Sequence, residues 1–263
     1  MSLPEPEPVL AVSGLTKRYG HRTALDEVSF ALTRGEVHGV LGPNGSGKTT
    51  CLHLVTGLLA PDAGEVLLNG VPVQDKKSRD FLGMAPDDLP MPASLTGQEY
   101  LDFHDRLRGR DDSVTAADLA WAFGLAEDLG RQIAEYSHGM KRKLQVIAAV
   151  MHFPDLLILD EPFRGLDPDA AVTLRKLITS YAGHGGAVLI ATHDMLRAQR
   201  DCDRVTILHA GAVVAEGSPA QLQHRYSVDT LEEAFLVTTG LEAQQAERAQ
   251  VLDTMMKEGW ERS

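Results

Sequence analysis

The sequence predicts an α/β fold with a doubly wound core and a helical insertion. Short aliphatic runs alternate with helical patterns up to about residue 85, which is typical of strands and helices that build one sheet. The pattern becomes mostly helical between residues 85 and 151, and the alternation returns after residue 155. The length of 263 residues and the hydrophobic content of 43% fit one large domain with a real core.

The individual elements follow from these patterns in chain order. Aliphatic runs predict strands at residues 9–12, 28–32, 37–41, 66–68, 81–84, 156–159, 187–191 and 205–208. Asn69-Gly70 predicts a tight turn after the fourth strand. Helices are predicted from residue 47 to about 55 and at residues 115–123, 139–151, 168–181 and 195–201. One more helix is predicted where Tyr100, Phe103 and Leu107 recur at helical spacing.

Both ends of the chain differ from the main domain, which we place at residues 9–240 with a helical subdomain at about residues 85–151. Residues 1–8 are acidic and proline-rich and are expected to form a disordered tail. Residues 241–263 are rich in Gln and Glu and are expected to form a terminal helix. In that helix Leu252, Met256 and Trp260 recur every four residues. We expect this stripe to dock on its own domain or on a dimer mate rather than on a membrane surface.

Charge and cysteine content limit the classes of function. Lys plus Arg number 25 and Asp plus Glu number 37, so the formal net charge is −12. A chain this acidic is not expected to bind nucleic acid through a broad basic surface. Two cysteines cannot form a disulfide framework, which favours a reducing, cytosolic environment. We expect neither a membrane span nor a signal peptide, because the apolar runs are far shorter than the roughly 18 residues of a spanning helix.

A phosphate-binding loop is the most specific motif. Residues 42–50 read Gly-Pro-Asn-Gly-Ser-Gly-Lys-Thr-Thr and match G-x-x-x-x-G-K-[ST] between a predicted strand and a predicted helix. Glycines let backbone N–H groups wrap phosphates, and the helix N-terminus adds its dipole. Lys48 is predicted to neutralise charge between the β- and γ-phosphates, and Thr49 to bind Mg²⁺ through its hydroxyl. The residues expected to contact the nucleotide here are Gly42, Asn44, Gly45, Ser46, Gly47, Lys48, Thr49 and Thr50.

An acidic pair follows the aliphatic run at residues 156–159. Asp160 stands at the carboxyl end of that strand, where open α/β sheets bind ligands, and is predicted to act on Mg²⁺ through water. Glu161 comes next and is predicted to polarise the attacking water. Two solvated acids at a strand end are the alternative, which the phosphate-binding loop makes less favourable. The loop and the pair alone still leave kinases and GTPases open.

A third motif lies between these two. Residues 136–140 read Tyr-Ser-His-Gly-Met, which places a Ser and a Gly at a predicted helix start and again favours an anion. Together with the other two motifs, this segment resembles the signature Leu-Ser-Gly-Gly-Gln of the nucleotide-binding subunits of ATP-binding cassette (ABC) transporters. The resemblance extends over roughly residues 9–240.

The resemblance implies a fold and further site residues. The implied fold is a P-loop NTPase core, a RecA-like mixed sheet with an antiparallel β subdomain, with an inserted α-helical subdomain. Tyr19 matches the aromatic residue that stacks on adenine, Asp167 the D-loop that links two sites, and His193 the switch histidine that holds the γ-phosphate. Two cassettes, of the same or of different chains, would meet head to tail. Ser137 and Gly139 would then contact the partner's ATP.

Several positions depart from the family pattern. Asp87 stands where the glutamine of the Q-loop is expected, and should still be able to bind Mg²⁺ or its water with a shorter, charged arm. His138 replaces a signature glycine and Met140 the signature glutamine. Phe163-Arg164 stands where small or polar residues are common. The cations at residues 141–143 are interpreted as a solvated helix face.

The combined motifs predict an ATPase that uses ATP and Mg²⁺ to power transport through a separate transmembrane permease subunit, peripheral on the cytoplasmic side of the membrane. The expected catalytic residues are Glu161, His193 and Lys48. Three features resemble those of cassettes from drug, antibiotic and lantibiotic exporters, which favours export. They are the variant signature, the acidic residue 87 and the segment at residues 231–240. The alternatives are an importer's cassette, a soluble cassette ATPase that remodels nucleic acid or ribosomes, and a degenerate regulatory module.

Overall fold

A computed structural model describes residues 7–87 and 90–261. Its strands are β1 (Leu10–Tyr19), β2 (Arg22–Leu32), β3 (Val37–Leu41), β4 (Ala63–Leu68), β5 (Val71–Pro72), β6 (Leu82–Ala85), β7 (Leu156–Asp160), β8 (Ala187–Thr192), β9 (Arg204–His209) and β10 (Ala212–Gly217). Its α-helices are α1 (Lys48–Val55), α2 (Gly97–Arg108), α3 (Ser113–Ala122), α4 (His138–Val150), α5 (Pro168–Gly183), α6 (Met195–Asp201), α7 (Pro219–Tyr226), α8 (Leu231–Thr239) and α9 (Glu242–Glu261).

The central sheet has six strands in the order β10-β9-β3-β8-β7-β6. Neighbours from β9 to β6 are parallel, and β10 pairs antiparallel with β9 at one edge. Strands β3, β7 and β8 are buried along their whole length, as their aliphatic runs predict for strands covered on both faces. The carboxyl ends of β3, β7 and β8 therefore meet at one edge of the sheet, where the predicted site residues follow them.

A second sheet of four antiparallel strands, in the order β2-β1-β4-β5, packs beside the first. The hairpin between β1 and β2 places Tyr19 opposite Arg22. Asn69 and Gly70 both have positive φ, at 49° and 74°, and join β4 to β5 by the predicted tight turn. The antiparallel subdomain that the family resemblance implies is thus present.

The helical insertion comprises α2, α3 and α4, which lie between β6 and β7 in the chain. Tyr100, Leu101 and Leu144 belong to the same buried cluster as residues under the sheet, so the insertion shares its core with the main domain. The helix predicted from Tyr100, Phe103 and Leu107 is present as α2, although Phe103 and Leu107 are exposed. Elements β10, α7 and α8 were not predicted.

The C-terminal helix differs from expectation. Residues 242–261 form α9, but the side chains of Leu252, Met256 and Trp260 are 57%, 58% and 80% exposed. The stripe therefore does not dock on its own domain, and docking on a dimer mate, the other half of the expectation, stays a prediction. Residues 1–6 of the expected disordered tail and residues 262–263 lie outside the described residues. Within the described part of the chain, no helix is both long and apolar enough to cross a membrane.

Candidate functional site

The phosphate-binding loop joins β3 to the first turn of α1. Gly47, just before α1, has a φ of 110°. A Cβ atom there would lie 2.7 Å from the Ala24 carbonyl oxygen and 2.6 Å from Cδ2 of Leu25, so only glycine lets α1 begin this close to β2. The Oγ atom of Ser46 is buried in the loop and has no hydrogen-bond partner among the described residues. A loop with an orphaned polar atom and a free helix N-terminus is suited to an anionic ligand.

Lys48 is buried at the entrance of this loop. Its Nζ donates hydrogen bonds to the carbonyl oxygens of Gly42, at 2.7 Å, and Pro43, at 3.3 Å. Burial lowers the pKa of Lys48, whereas the carboxylates of Glu161 and Asp160 raise it. The ammonium group therefore lies within electrostatic range of the acidic end of β7.

A cavity of about 320 Å³ separates the loop from the β1–β2 hairpin. Tyr19, half-exposed at the end of β1, forms part of one wall. Arg22 lines the same cavity, and its Nη2 lies 3.5 Å from the carbonyl oxygen of Gly45. The other lining residues are Ala24, Asn44, Gly47, Lys48, Thr49 and Thr50. An aromatic ring, two cations and a loop rich in free N–H groups form a set that fits a nucleotide.

The acidic pair occupies the carboxyl end of β7. Burial raises the pKa of Asp160 to about 6, and the carboxylates of Asp87 and Glu161 act in the same direction. Arg142 and Lys48 oppose this shift. An excess of negative charge of this kind fits a divalent cation. In residues 7–87 and 90–261 no three His, Cys, Asp or Glu side chains gather closely enough to hold a metal alone, so such a cation needs hydroxyl, phosphate or water oxygens as well.

Glu161 is tied to the segment that follows β8. Its backbone has a φ of 45°, the left-handed region that residues with side chains rarely adopt, and its N–H donates to the Ala191 carbonyl at 2.8 Å. Its carboxylate accepts hydrogen bonds from the Thr192 hydroxyl and from the His193 N–H, both at 2.9 Å. Nδ1 of His193 lies 2.6 Å from the same carboxylate. The fold thus brings two predicted catalytic residues into direct contact.

The signature segment begins α4 and packs on the turn after β7. Ser137 caps α4 by accepting a hydrogen bond from the N–H three residues later. A Cβ atom on Gly139 would lie 2.9 Å from the Gly165 carbonyl oxygen. Asp167 caps α5, and its carboxylate lies 3.3 Å from Nζ of Lys143. None of Ser137, Gly139 and Asp167 is among the residues that line the cavity beside their own phosphate-binding loop. Within one chain, Asp167 and Lys143 link α5 to α4, and Gly139 lies against the turn that leads to α5.

Asp87, which was expected to bind Mg²⁺, is paired with an arginine. Its Oδ2 lies 2.7 Å from Nη1 of Arg164. Arg142 lies nearby, 1% exposed, and donates to the carbonyl oxygens of Pro86 and Asp160. The interpretation of residues 141–143 as a solvated face is therefore wrong for Arg142, because carbonyl groups at the ends of β6 and β7 supply buried acceptors.

Two residues of this region, Arg22 and Arg142, were not predicted as site residues. Arg22 stands three positions after Tyr19 across a glycine turn, and this hairpin pattern could have placed the two side by side. Arg142 shares its helix face with Val146 and Ala149, four and seven residues later, both buried. That apolar spacing could have indicated an inward-facing arginine.

Comparisons with known proteins point to one family. A family model described as "ABC transporter" matches residues 25–164, just over half of the chain. The probable multidrug ABC transporter ATP-binding protein YbhF of Escherichia coli is 35% identical over 240 residues, which cover 88% of this chain and 41% of YbhF. The daunorubicin resistance ATP-binding protein DrrA3 of Streptomyces coeruleorubidus is 35% identical over 228 residues, which cover 85% of this chain and 72% of that protein.

A solved structure points the same way. The structure of an ATP-binding subunit of an ABC transporter superposes on this chain with a TM-score of 0.83 at 30% sequence identity. The match covers 88% of this chain and 99% of the solved one. The predicted α/β class, with its parallel core, antiparallel sheet and helical insertion, is confirmed by this likeness and by the topology.

Proposed function

Because the chain belongs to the ABC transporter family, we propose that it hydrolyses ATP to drive export through a separate transmembrane permease subunit. The prediction of an ATP-binding cassette is confirmed by the family match and by the relatives. One observation carries the mechanism. The Lys48 ammonium lies close enough to the carboxylates of Asp160 and Glu161, at one sheet edge, for both of them to raise its pKa.

ATP binding would use both walls of the cavity beside the phosphate-binding loop. Tyr19 offers its half-exposed ring to the adenine, and the N–H groups of the loop and of the first turn of α1 bind phosphate oxygens. Lys48 would release its two carbonyl acceptors and neutralise the β- and γ-phosphates. The remaining contacts would come from Gly42, Asn44, Gly45, Ser46, Gly47, Thr49 and Thr50.

Mg²⁺ fits the residues present at this site. Thr49, exposed at the start of α1, and Asp160, whose pKa is raised first by burial and then by the carboxylates of Asp87 and Glu161, are the residues that would hold it. When bound, it neutralises charge on the phosphates. Asp160 would act on it through a water molecule from its buried position at the strand end.

Hydrolysis requires a group that orients and deprotonates water beside the γ-phosphate. Glu161 is the residue we assign to this role, because hydrogen bonds from Thr192 and His193 fix its carboxylate. His193 is half-exposed, so its ring can hold the γ-phosphate on the other side. Phosphoryl transfer depends mainly on positioning and charge stabilisation, which Lys48, the loop N–H groups and this pair supply.

A second cassette would complete each site. Ser137 and Gly139 lie at the exposed start of α4, and a helix N-terminus of this kind binds phosphate well. In a head-to-tail dimer they would close over the partner's ATP, and Asp167 would link the two sites. We infer that ATP holds this dimer shut and that hydrolysis releases it.

The relatives support a direction of transport and a location. The names of similar proteins refer to multidrug transport and to daunorubicin resistance, which supports export. A cassette of this type would act at the cytoplasmic face of the membrane, bound to its permease subunit.

Two measurements test this proposal. First, the purified chain should hydrolyse ATP, and Lys48→Ala should abolish the activity. Nucleotide binding without hydrolysis in the unmodified chain would favour a regulatory module.

Second, a tagged chain captured from detergent-solubilised membranes of its native cells should bring down a polytopic membrane protein, identified by mass spectrometry. Recovery of only soluble or nucleic-acid-bound partners would contradict the transporter and favour a remodelling ATPase.

A further inference from the structure

Two charged side chains from segments far apart in the chain face each other in the structure. Asp87 follows β6 at the entry to the helical insertion, and Arg164 lies in the turn after β7. The Asp87 Oδ2 and Arg164 Nη1 atoms are 2.7 Å apart, which is the length of a charge-assisted hydrogen bond. The N–H of Arg164 also donates to the Glu161 carbonyl at 3.1 Å. The ion pair therefore connects the entry to the insertion with the turn that carries Glu161.

A buried side chain reinforces the same connection. Arg142 of α4 donates to the carbonyl oxygens of Pro86 and Asp160, the residues that directly precede Asp87 and Glu161. A buried guanidinium is stable only where such acceptors are fixed in place. Arg142 thus fixes the distance between the segment after β6 and the end of β7. The exposed ion pair of Asp87 and Arg164 then joins the same two segments a second time.

We propose that Arg164 is a positioning residue that holds Asp87 against the turn of Glu161, so that Asp87 serves as the counterion of Arg164 and not as a Mg²⁺ ligand. The inference rests on the ATPase function proposed above for the same site. Its consequence is that the charges of Asp87 and Arg164 compensate each other, so that neither residue is expected to function normally without the other.

Charge balance supports this assignment. Asp160 and Glu161 already place two carboxylates at the end of β7, and Asp87 adds a third close enough to affect Asp160. Arg164 neutralises the third carboxylate. The pair is largely solvent-exposed on the arginine side, with side-chain exposures of 64% for Arg164 and 21% for Asp87. Exposed ion pairs add little to folding stability, so the role left for this one is to orient the turn.

The kinetic test is a double-mutant cycle on the purified chain. Arg164→Gln and Asp87→Asn should each lower kcat three- to tenfold and leave KM for ATP within twofold. The double variant should be no slower than the slower single variant, because both changes break one link. Arg164→Lys keeps the positive charge, so its kcat should be at least half that of the unmodified chain. Arg131→Gln, which breaks surface ion pairs with Asp128 and Glu135 within the helical insertion, is the matched control and should leave kcat unchanged.

A second readout uses the protein without metal or nucleotide. Hydrogen exchange of the amides at residues 161–166 should accelerate to the same extent in Arg164→Gln and Asp87→Asn, with unchanged melting temperatures. Manganese binding in the presence of ATP, followed by electron spin resonance, should be within twofold of the unmodified chain in Asp87→Asn.

The proposal is overturned if Asp87→Asn weakens manganese binding fivefold or more while Arg164→Gln changes neither kcat nor exchange, since Asp87 would then be a metal ligand. Additive losses in the double variant would also overturn it. A chain without any ATPase activity would instead refute the proposed function, and the exchange experiment would still decide whether the pair fixes the turn.

Discussion

The carboxylate of Glu161 lies 2.6 Å from Nδ1 of His193, at the ends of two adjacent parallel strands. The same carboxylate accepts the N–H of His193, so one residue after β7 and one after β8 are joined by two contacts. The left-handed backbone of Glu161, with a φ of 45°, turns its side chain toward β8. Such a backbone costs energy and is often found at functional sites.

Glu161→Gln should lower kcat a hundredfold or more and leave ATP affinity nearly unchanged. Removing a general base costs roughly 10²–10⁴ in rate, while the binding groups around the phosphate-binding loop remain intact. Steady-state ATPase assays and a fluorescent ATP analogue give the two quantities, and gel filtration with ATP should show a trapped dimer. Turnover close to that of the unmodified chain would refute the role of Glu161.

The sequence predicted the elements of the parallel core well, because β3, β7 and β8 are buried runs whose residues are almost all apolar. The phosphate-binding loop and the acidic pair were also found, since their chemistry needs a contiguous motif. Contacts between distant segments escaped prediction. The pairing of Asp87 with Arg164 joins residues 77 positions apart, and nothing local to either residue indicates its partner.

Missed elements have a different cause. Helix α7 carries clear local signals, with Ser218 as N-cap, Pro219 in the first turn and Gln221 closing a capping box. Its short length of eight residues gave too little apolar periodicity to be recognised. For α9 the apolar stripe was real, but a stripe alone does not identify the surface that covers it.

Arg22→Ala should raise KM for ATP three- to tenfold and leave kcat within twofold. The guanidinium lines the nucleotide cavity at the edge of the loop, and a charge-assisted contact to phosphate or ribose oxygen is worth about 1 kcal/mol net at such an exposed site. Arg18→Ala is the matched control, because Arg18 is exposed on β1 and does not line the cavity. Equal effects of the two variants would mean that only overall charge matters.

Gly47→Ala should abolish ATP binding and lower the free energy of unfolding by about 1–3 kcal/mol. The alanine would have to adopt a φ of 110°, which side chains disfavour. Its Cβ would also lie 2.7 Å from the Ala24 carbonyl oxygen, so the loop or β2 must shift. Gly109→Ala serves as control, because its φ of 63° is also left-handed but nothing lies within 4 Å of the new Cβ. Urea unfolding and nucleotide titration separate the two effects. Intact ATP binding in Gly47→Ala would contradict the tight packing of α1 on β2.

Glu36→Gln should lower stability at pH 7, lower it less at pH 3 and hardly lower it near pH 2. Burial alone raises the pKa of Glu36, yet hydrogen bonds from His38 and from Thr33 outweigh it and hold the pKa at about 2. Nε of Arg204 also lies 3.7 Å from the carboxylate. A pKa below that of the unfolded chain stabilises the fold above about pH 4.3, and this contribution is lost as the pH falls toward 2.

The size of this pH effect is modest because Glu36 keeps some contact with solvent. We expect a difference of about 1–2 kcal/mol between Glu36→Gln and the unmodified chain at pH 7. Urea unfolding at pH 7, 5 and 3 measures it. A difference that stays constant from pH 7 to pH 3 would show that the carboxylate charge is not the stabilising feature.

Removing residues 242–263 should change the free energy of unfolding by less than about 1 kcal/mol. Because 1 kcal/mol corresponds to roughly 2–4 °C in a protein of this size, the melting temperature should change by less than about 2 °C. Helix α9 leaves Val251, Leu252, Met255 and Met256 more than half exposed, so its removal uncovers little core. A truncation that also removes α8 is the contrasting control, since Leu231 and Ala234 are fully buried and their loss would open the cluster beneath α6 and β10.

Sedimentation of the chain without residues 242–263, in the presence of ATP, tests whether the stripe of α9 contacts a dimer mate. A weaker dimer with unchanged melting temperature would support that contact, and a melting temperature lowered as far as in the control would show that α9 packs on its own domain after all.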